Sequence, residues 1–240
     1  MENLLTVPKA MIAATVFVVQ NAGACFMRGL PVVVAMGVLA YINVLTNGSF
    51  AIAGQAIESF LYAIFAVAWH RYSLLPEVRE KRGFALSFGL REIKFGALIV
   101  VVSLIGYVVT SALVAVLPDE AAIVVVLILV LVASSILVFF YPAIALEQPI
   151  DGGLFVQEGL TLIFSFILGG LLAMLIFILP VGAAALIAFG IASMFGAVTM
   201  VAILVGVVNF IAWVIIIAIM VSTASFLYRD VIGLKEVHGA

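Results

Sequence analysis

From Leu162 to Tyr228 the chain runs for more than sixty residues without one charged side chain. About 20 consecutive apolar residues suffice to cross the hydrocarbon core of a bilayer, so this run holds more than one crossing. Within lipid each backbone amide must bond inside its own segment, which favours helices. Shorter apolar runs occur at Val32 to Thr46, Ala51 to Tyr72, Phe95 to Leu117 and Ala121 to Leu146. With 67% hydrophobic and 9% charged residues, too few polar side chains exist to cover a water-soluble domain of this size. The expected fold is an all-α polytopic membrane protein, a single integral membrane domain over residues 1–240.

The turn signals fall between these runs, at Asn47-Gly48-Ser49, Pro118-Asp119-Glu120 and Asp151-Gly152-Gly153. Dividing the long run at Pro180-Val181-Gly182 and the Gly- and Ala-rich stretch to Gly196 gives a fifth span from Leu162 and a sixth over Val198 to Leu227. Pro31 is read as the start of the first span. Three amphipathic pieces, Val7 to Arg28, Phe84 to Lys94 and a third after Asp151 with Glu158 and Thr161, suit interfacial helices on one side. The first thirty residues lack a signal-peptide pattern, so insertion is expected to use the first span.

Six spans leave all ten basic residues on one face, the opposite connections carrying only Asp119 and Glu120. The positive-inside rule makes that face cytoplasmic, with both termini on it, in a bacterial inner (plasma) membrane. Six of the ten cations, Arg71, Arg79, Lys81, Arg82, Arg91 and Lys94, lie in the stretch Phe65 to Lys94. Beside them Trp69 to Tyr72 reads as an interfacial aromatic cluster. Phe139 to Tyr141 and Phe226 to Arg229 read the same way, and the order of amphipathic helix, span, span then recurs over 1–75, 84–148 and 151–230. The tyrosines Tyr72, Tyr141 and Tyr228 are unequally spaced, by 69 and 87 residues, and aromatic belts alone produce such clusters.

Ala66 to Leu75, Tyr141-Pro142-Ala143-Ile144-Ala145-Leu146 and Ala224-Ser225-Phe226-Leu227-Tyr228-Arg229 together resemble a poorly characterised bacterial six-span family. It is related to the membrane domain of glycerophosphoryl diester phosphodiesterases. In that relation hydrolysis belongs to a separate soluble barrel, so the resemblance implies architecture and no catalysis.

The composition excludes several classes of function. A net charge of −2 and the lack of a basic stripe with interleaved aromatics argue against nucleic acid. Cys25 is alone and His70 and His238 are the only histidines, so neither a disulfide nor a metal site is expected, and no cofactor is implied. Phosphate-binding loops, dinucleotide fingerprints and nucleophile elbows are missing. The chain does not read as an enzyme, and His70 is taken as an interfacial anchor.

Glu58 stands roughly 10 Å along its span from Ala51, where a carboxylate is costly. Asn43 and Gln55 lie at similar depth, and with Thr110 and Ser111 they make a candidate polar cluster for a solute, lipid headgroup or proton. Asn209 sits near the middle of the last span, where hydrogen bonding to a neighbouring helix is the alternative to a binding role. The six cations named above are candidate contacts for anionic lipid, although topology alone also accounts for them. The expected function is a non-enzymatic interaction, assembly or scaffold role in the bilayer, with a membrane-protein partner. The alternative is a small transporter or lipid-handling protein using the cluster around Glu58.

Overall fold

The computed structural model describes the backbone of residues 2–80, 86–194 and 198–234, and it contains helices and no strand among them. The side chains of 191–211 and a few others lie outside the described set. After a 3-10 turn at Glu2–Leu5 come α1 (Thr6–Gln20), α2 (Ala22–Leu45), α3 (Ala51–Leu74), the single turn α4 (Pro76–Arg79), α5 (Leu90–Val116) and α6 (Asp119–Ala145). They are followed by α7 (Gly152–Thr161), α8 (Ile163–Ala173), a π-turn at Met174–Ile178, α9 (Leu179–Met194), α10 (Val198–Leu227) and a second π-turn at Tyr228–Ile232.

Six helices among the described residues are long and apolar enough to cross a membrane: Asn3–Gln20, Ala22–Leu45, Leu90–Val116, Asp119–Ala145, Ile163–Ala183 and Ala212–Ile232. The all-helical polytopic class expected from the sequence is therefore the one observed. One member of the set differs, since Asn3–Gln20 belongs to it and α3, as long as α2, does not. α3 is buried in the bundle over its second half, with Ala63 and Phe65 to His70 all covered, while Gln55 nearer its start is exposed. α5 and α6 stand at the edge, with Leu104, Tyr107, Val108, Leu127 and Ile128 exposed, and only apolar side chains are stable against lipid there.

Several boundaries move for local reasons. α1 buries Val7, Ala10, Met11, Ala14 and Val18 against α10 and α8 and shows Ile12, Val16 and Val19 outward. It is thus a packed element of the bundle with a lipid-suited outer face. α1 meets α2 at Asn21, and α2 passes straight through Pro31. The hydrogen bond Pro31 cannot make is tolerated inside a bundle. The amphipathic piece expected before the third span is largely not separate, because from Leu90 it is the first turn of α5. α7 is a distinct short helix, started by Asp151, whose Oδ1 accepts from the Leu154 amide at 3.0 Å.

Pro180 does not break the fifth span. The backbone stays helical from Leu179 to Met194, and the π-turn before it spans the carbonyl of Ile176 that Pro180 cannot pair. The division near Gly196 lies outside the described residues. Asn47 (φ 48°) and Gly48 (φ 81°) form the left-handed turn between α2 and α3.

The core is aromatic. Trp69 is fully buried (0% exposed), stacked on Tyr72 at 5.1 Å and Phe65 at 6.2 Å between ring centroids. Its Nε1–H donates to the Ala218 carbonyl at 3.0 Å and to Ser222 Oγ at 2.8 Å, tying α3 to α10. Trp69 is therefore not a lipid-facing belt residue. α7 lies close on α6 because Gly159 has no side chain: a Cβ there would come within 2.6 Å of the Ser135 carbonyl.

Candidate functional site

The C-terminal ends of α3, α6 and α10 gather with the starts of α2 and α5 at one end of the bundle, here the basic end. Tyr72 bonds Asn21, Phe17 meets Phe226, and Arg91 pairs with Glu147. A groove of about 790 Å³ opens between the α5–α6 hairpin and a wall made by α3, α8 and α10. It extends on α5 from Phe95 to Thr110 and on α6 from Val126 to Tyr141. Fifteen residues at ~1.5 Å each make it roughly 22 Å long on both helices.

The lining is apolar apart from Tyr62, His70, Thr110, Ser134 and Tyr141. His70, 1% exposed, lies at the closed wall with its ring 5.8 Å from that of Phe95. Its Nδ1 is 2.8 Å from Ser225 Oγ, which is also 2.9 Å from the Val221 carbonyl. Ser225 has one proton, and with it directed to Val221 the imidazole Nδ1–H donates to the hydroxyl, leaving Nε2 as an acceptor. His70 is a bonded core residue and not an interfacial anchor. The hydroxyls of Tyr62 and Tyr141 make no hydrogen bond to a described residue, although both residues line the groove.

The polar cluster expected around Glu58 is not drawn together. Glu58 is half-buried and Gln55 exposed, no side-chain hydrogen bond joins either of them to Asn43, and none of the three lines the groove. Asn43 Oδ1 is buried without a partner among the described residues. Thr110 lines the groove while Ser111 is exposed. Asn209 belongs to α10, and its side chain lies outside the described residues.

The six candidate lipid-contacting cations separate into different roles. Arg79 caps α3: its Nε donates to the Tyr72 carbonyl at 2.9 Å and its Nη2 to that of Ser73 at 2.6 Å, with the guanidinium 5.1 Å above the Phe17 ring. Arg91 reaches Glu147 at 3.4 Å. Lys94 is exposed, and Lys81 and Arg82 lie outside the described residues. Arg71 is half-buried, makes no ion pair with a described residue, and has the Ala145 carbonyl 3.5 Å from Nη1. Along α5 and α6, one turn from the groove-lining Phe95 and Tyr141 on the same helix faces, come Arg91 and Ala145. Arg71 therefore stands just beyond the basic end of the groove.

Two charged residues escaped sequence reasoning. Glu92, 1% exposed, accepts from Ser87 Oγ at 2.9 Å and from the Gly89 amide at 2.8 Å, closing the N-terminus of α5. Its position three residues after the helix start was the available signal. Arg28, assigned to the cytoplasmic surface, is 2% exposed, and no sequence pattern distinguishes it from a surface arginine. No cluster of three or more His, Cys, Asp or Glu able to hold a metal occurs among the described residues.

No protein-family model matches the chain, and neither a curated protein nor a solved structure matches it.

Proposed function

We propose that this chain is a non-enzymatic, multi-pass membrane protein with an interaction or assembly role, in which the bundle holds a hydrophobic occupant at its side. The observation that carries the reading is the placement of its large cavity. The groove is lateral and apolar and excludes Asn43, Gln55 and Glu58, whereas a pathway for a polar solute would run past them.

Positive-inside sorting supports a bacterial inner-membrane location with both termini cytoplasmic. α1 packs on α10 and α8 and turns into α2 at Asn21 without a loop, which supports six crossings by α2, α3, α5, α6, α8–α9 and α10. The relation to the phosphodiesterase membrane-domain family is part of this proposal, and it carries architecture without hydrolysis.

A second reading, a small transporter or lipid-handling protein using Asn43, Gln55, Glu58 and Asn209, is favoured by the buried Oδ1 of Asn43, which has no partner among the described residues. Proteoliposomes with an imposed proton gradient and a trapped pH-sensitive dye separate the two. The interaction reading expects the leak of protein-free liposomes and no effect of Glu58→Gln. A proton flux that Glu58→Gln abolishes would replace it with the transporter.

A further inference from the structure

We propose that the lateral groove binds a phospholipid, with one acyl chain along α5 and α6 and the phosphate at Arg71. This rests on the reading of the groove as a hydrophobic site and names its occupant.

Dimensions come first. One leaflet contributes about 15 Å of hydrocarbon, half the ~30 Å core, so a groove of roughly 22 Å accepts a whole chain lying obliquely.

Polarity gives the orientation. The outer reach of the groove, past Val102, Ile105 and Val130, is hydrocarbon-like up to Thr110 at its far end. Toward the basic end the phenol hydroxyls of Tyr62 and Tyr141 are donors without a described partner. In so apolar a site an unpartnered donor is costly, and a lipid ester carbonyl satisfies it. Beyond the end stands Arg71, which makes no direct ion pair with a described residue although Glu77, Glu92 and Glu147 lie close enough to act on its charge, whereas neighbouring Arg91 pairs directly with Glu147. A phosphate completes the coordination of Arg71, and its planar fork matches phosphate oxygens. One lipid thereby satisfies the apolar wall, the two phenols and Arg71.

Phospholipid and free fatty acid both supply a chain, and the test separates them. The purified protein in nanodiscs is irradiated with a phosphatidylglycerol carrying a diazirine near the end of one acyl chain, or with a diazirine fatty acid. Cross-linked peptides are then mapped by mass spectrometry. The expected result is labelling concentrated in residues 95–110 and 126–141. Gly106→Leu should suppress it, because a Cβ at Gly106 meets nothing within 4 Å and the added side chain fills the groove without displacing a neighbour. Arg71→Gln should lower phosphatidylglycerol labelling about fivefold, the effect of one cation on an anionic headgroup, and leave the fatty acid unchanged. Ala133→Phe, at a second groove position, repeats the blocking test should Gly106→Leu fail to fold.

Labelling spread evenly over exposed faces, including Val19 of α1, and unaffected by either blocking variant is annular lipid and overturns the proposal. Equal loss of both probes in Arg71→Gln overturns the phosphate contact. A protein cross-linked in the groove in place of lipid overturns the lipid while leaving the interaction reading intact; a Glu58-dependent proton flux removes that reading and not the lipid.

Discussion

The guanidinium of Arg28 lies over the ring of Tyr72, 4.3 Å from its centroid, and no carboxylate among the described residues pairs with it. Nη1 reaches the Ala24 carbonyl at 3.3 Å, while Nε and Nη2 are buried without partners among the described residues. Burying a charge costs several kcal/mol, and a desolvated cation–π contact returns about 2 kcal/mol. Desolvation is therefore the larger effect, and a neutral side chain of similar length is expected to do as well. In thermal unfolding in detergent, Arg28→Met should leave the midpoint equal or higher. Tyr72→Leu, which strips the ring from the charge and the hydroxyl from Asn21, should cost about 3 kcal/mol. A lower midpoint for Arg28→Met than for Tyr72→Leu contradicts this balance.

Gly159 is a point of close backbone approach between α6 and α7. The atoms a Cβ would strike are the Ser135 carbonyl oxygen and Ile136 Cα, neither of which can rotate away. Gly159→Ala should destabilise by about 2 kcal/mol, as overpacking does. Gly170, on α8 with nothing within 4 Å, is the control, and its replacement by alanine should stabilise by up to ~1 kcal/mol through helix propensity. Equal midpoints for the two variants would show that α7 can shift on α6.

Trp69 has two acceptors on α10, and they are not equivalent in consequence. Trp69→Phe removes the indole donor and leaves Ser222 Oγ with the 3.4 Å contact to Ser73 Oγ, at a cost of about 1–2 kcal/mol. Ser222→Ala leaves the bond to the Ala218 carbonyl at 3.0 Å and should cost less. The same unfolding measurement orders them, and a larger loss for Ser222→Ala argues against the pairing.

Arg79 and Lys94 belong to the same cationic stretch and are expected to respond differently. Arg79→Gln loses both bonds to the last carbonyls of α3, about 1 kcal/mol at a partly exposed helix end. Lys94→Gln should have no measurable effect. Hydrogen–deuterium exchange at the Leu75 amide, which bonds the Arg71 carbonyl at 2.8 Å, reports the fraying directly. Unchanged exchange in Arg79→Gln would mean that α4 alone holds that end.

Apolar run length made the helices legible in the sequence, and so did the turn chemistry of Asn47-Gly48. Which way a ring points was not. Trp69 beside His70 and Arg71 reads the same whether it faces lipid or core, and the residue that decides it, Ser222, is 153 positions away. His70 is a similar case, since its partner Ser225 is separated from it by 155 positions. Glu58 misled in the other direction. Depth along a helix can be counted from the sequence, but the counting does not reveal whether Gln55 and Asn43 turn toward it. The groove was invisible for a simpler reason: its walls come from five helices, and a surface made by splayed helices leaves no local trace in any one of them.

Near the base of the hairpin that forms one side of the groove, Gly96 lets Phe60 press against α5. Each arm has 27 residues, roughly 40 Å, which exceeds the ~30 Å hydrocarbon depth. Such a lever must lean, and the angle is set by its surroundings. Membrane thickness thereby becomes a control on how wide the cleft stands, with no moving part beyond the lean itself.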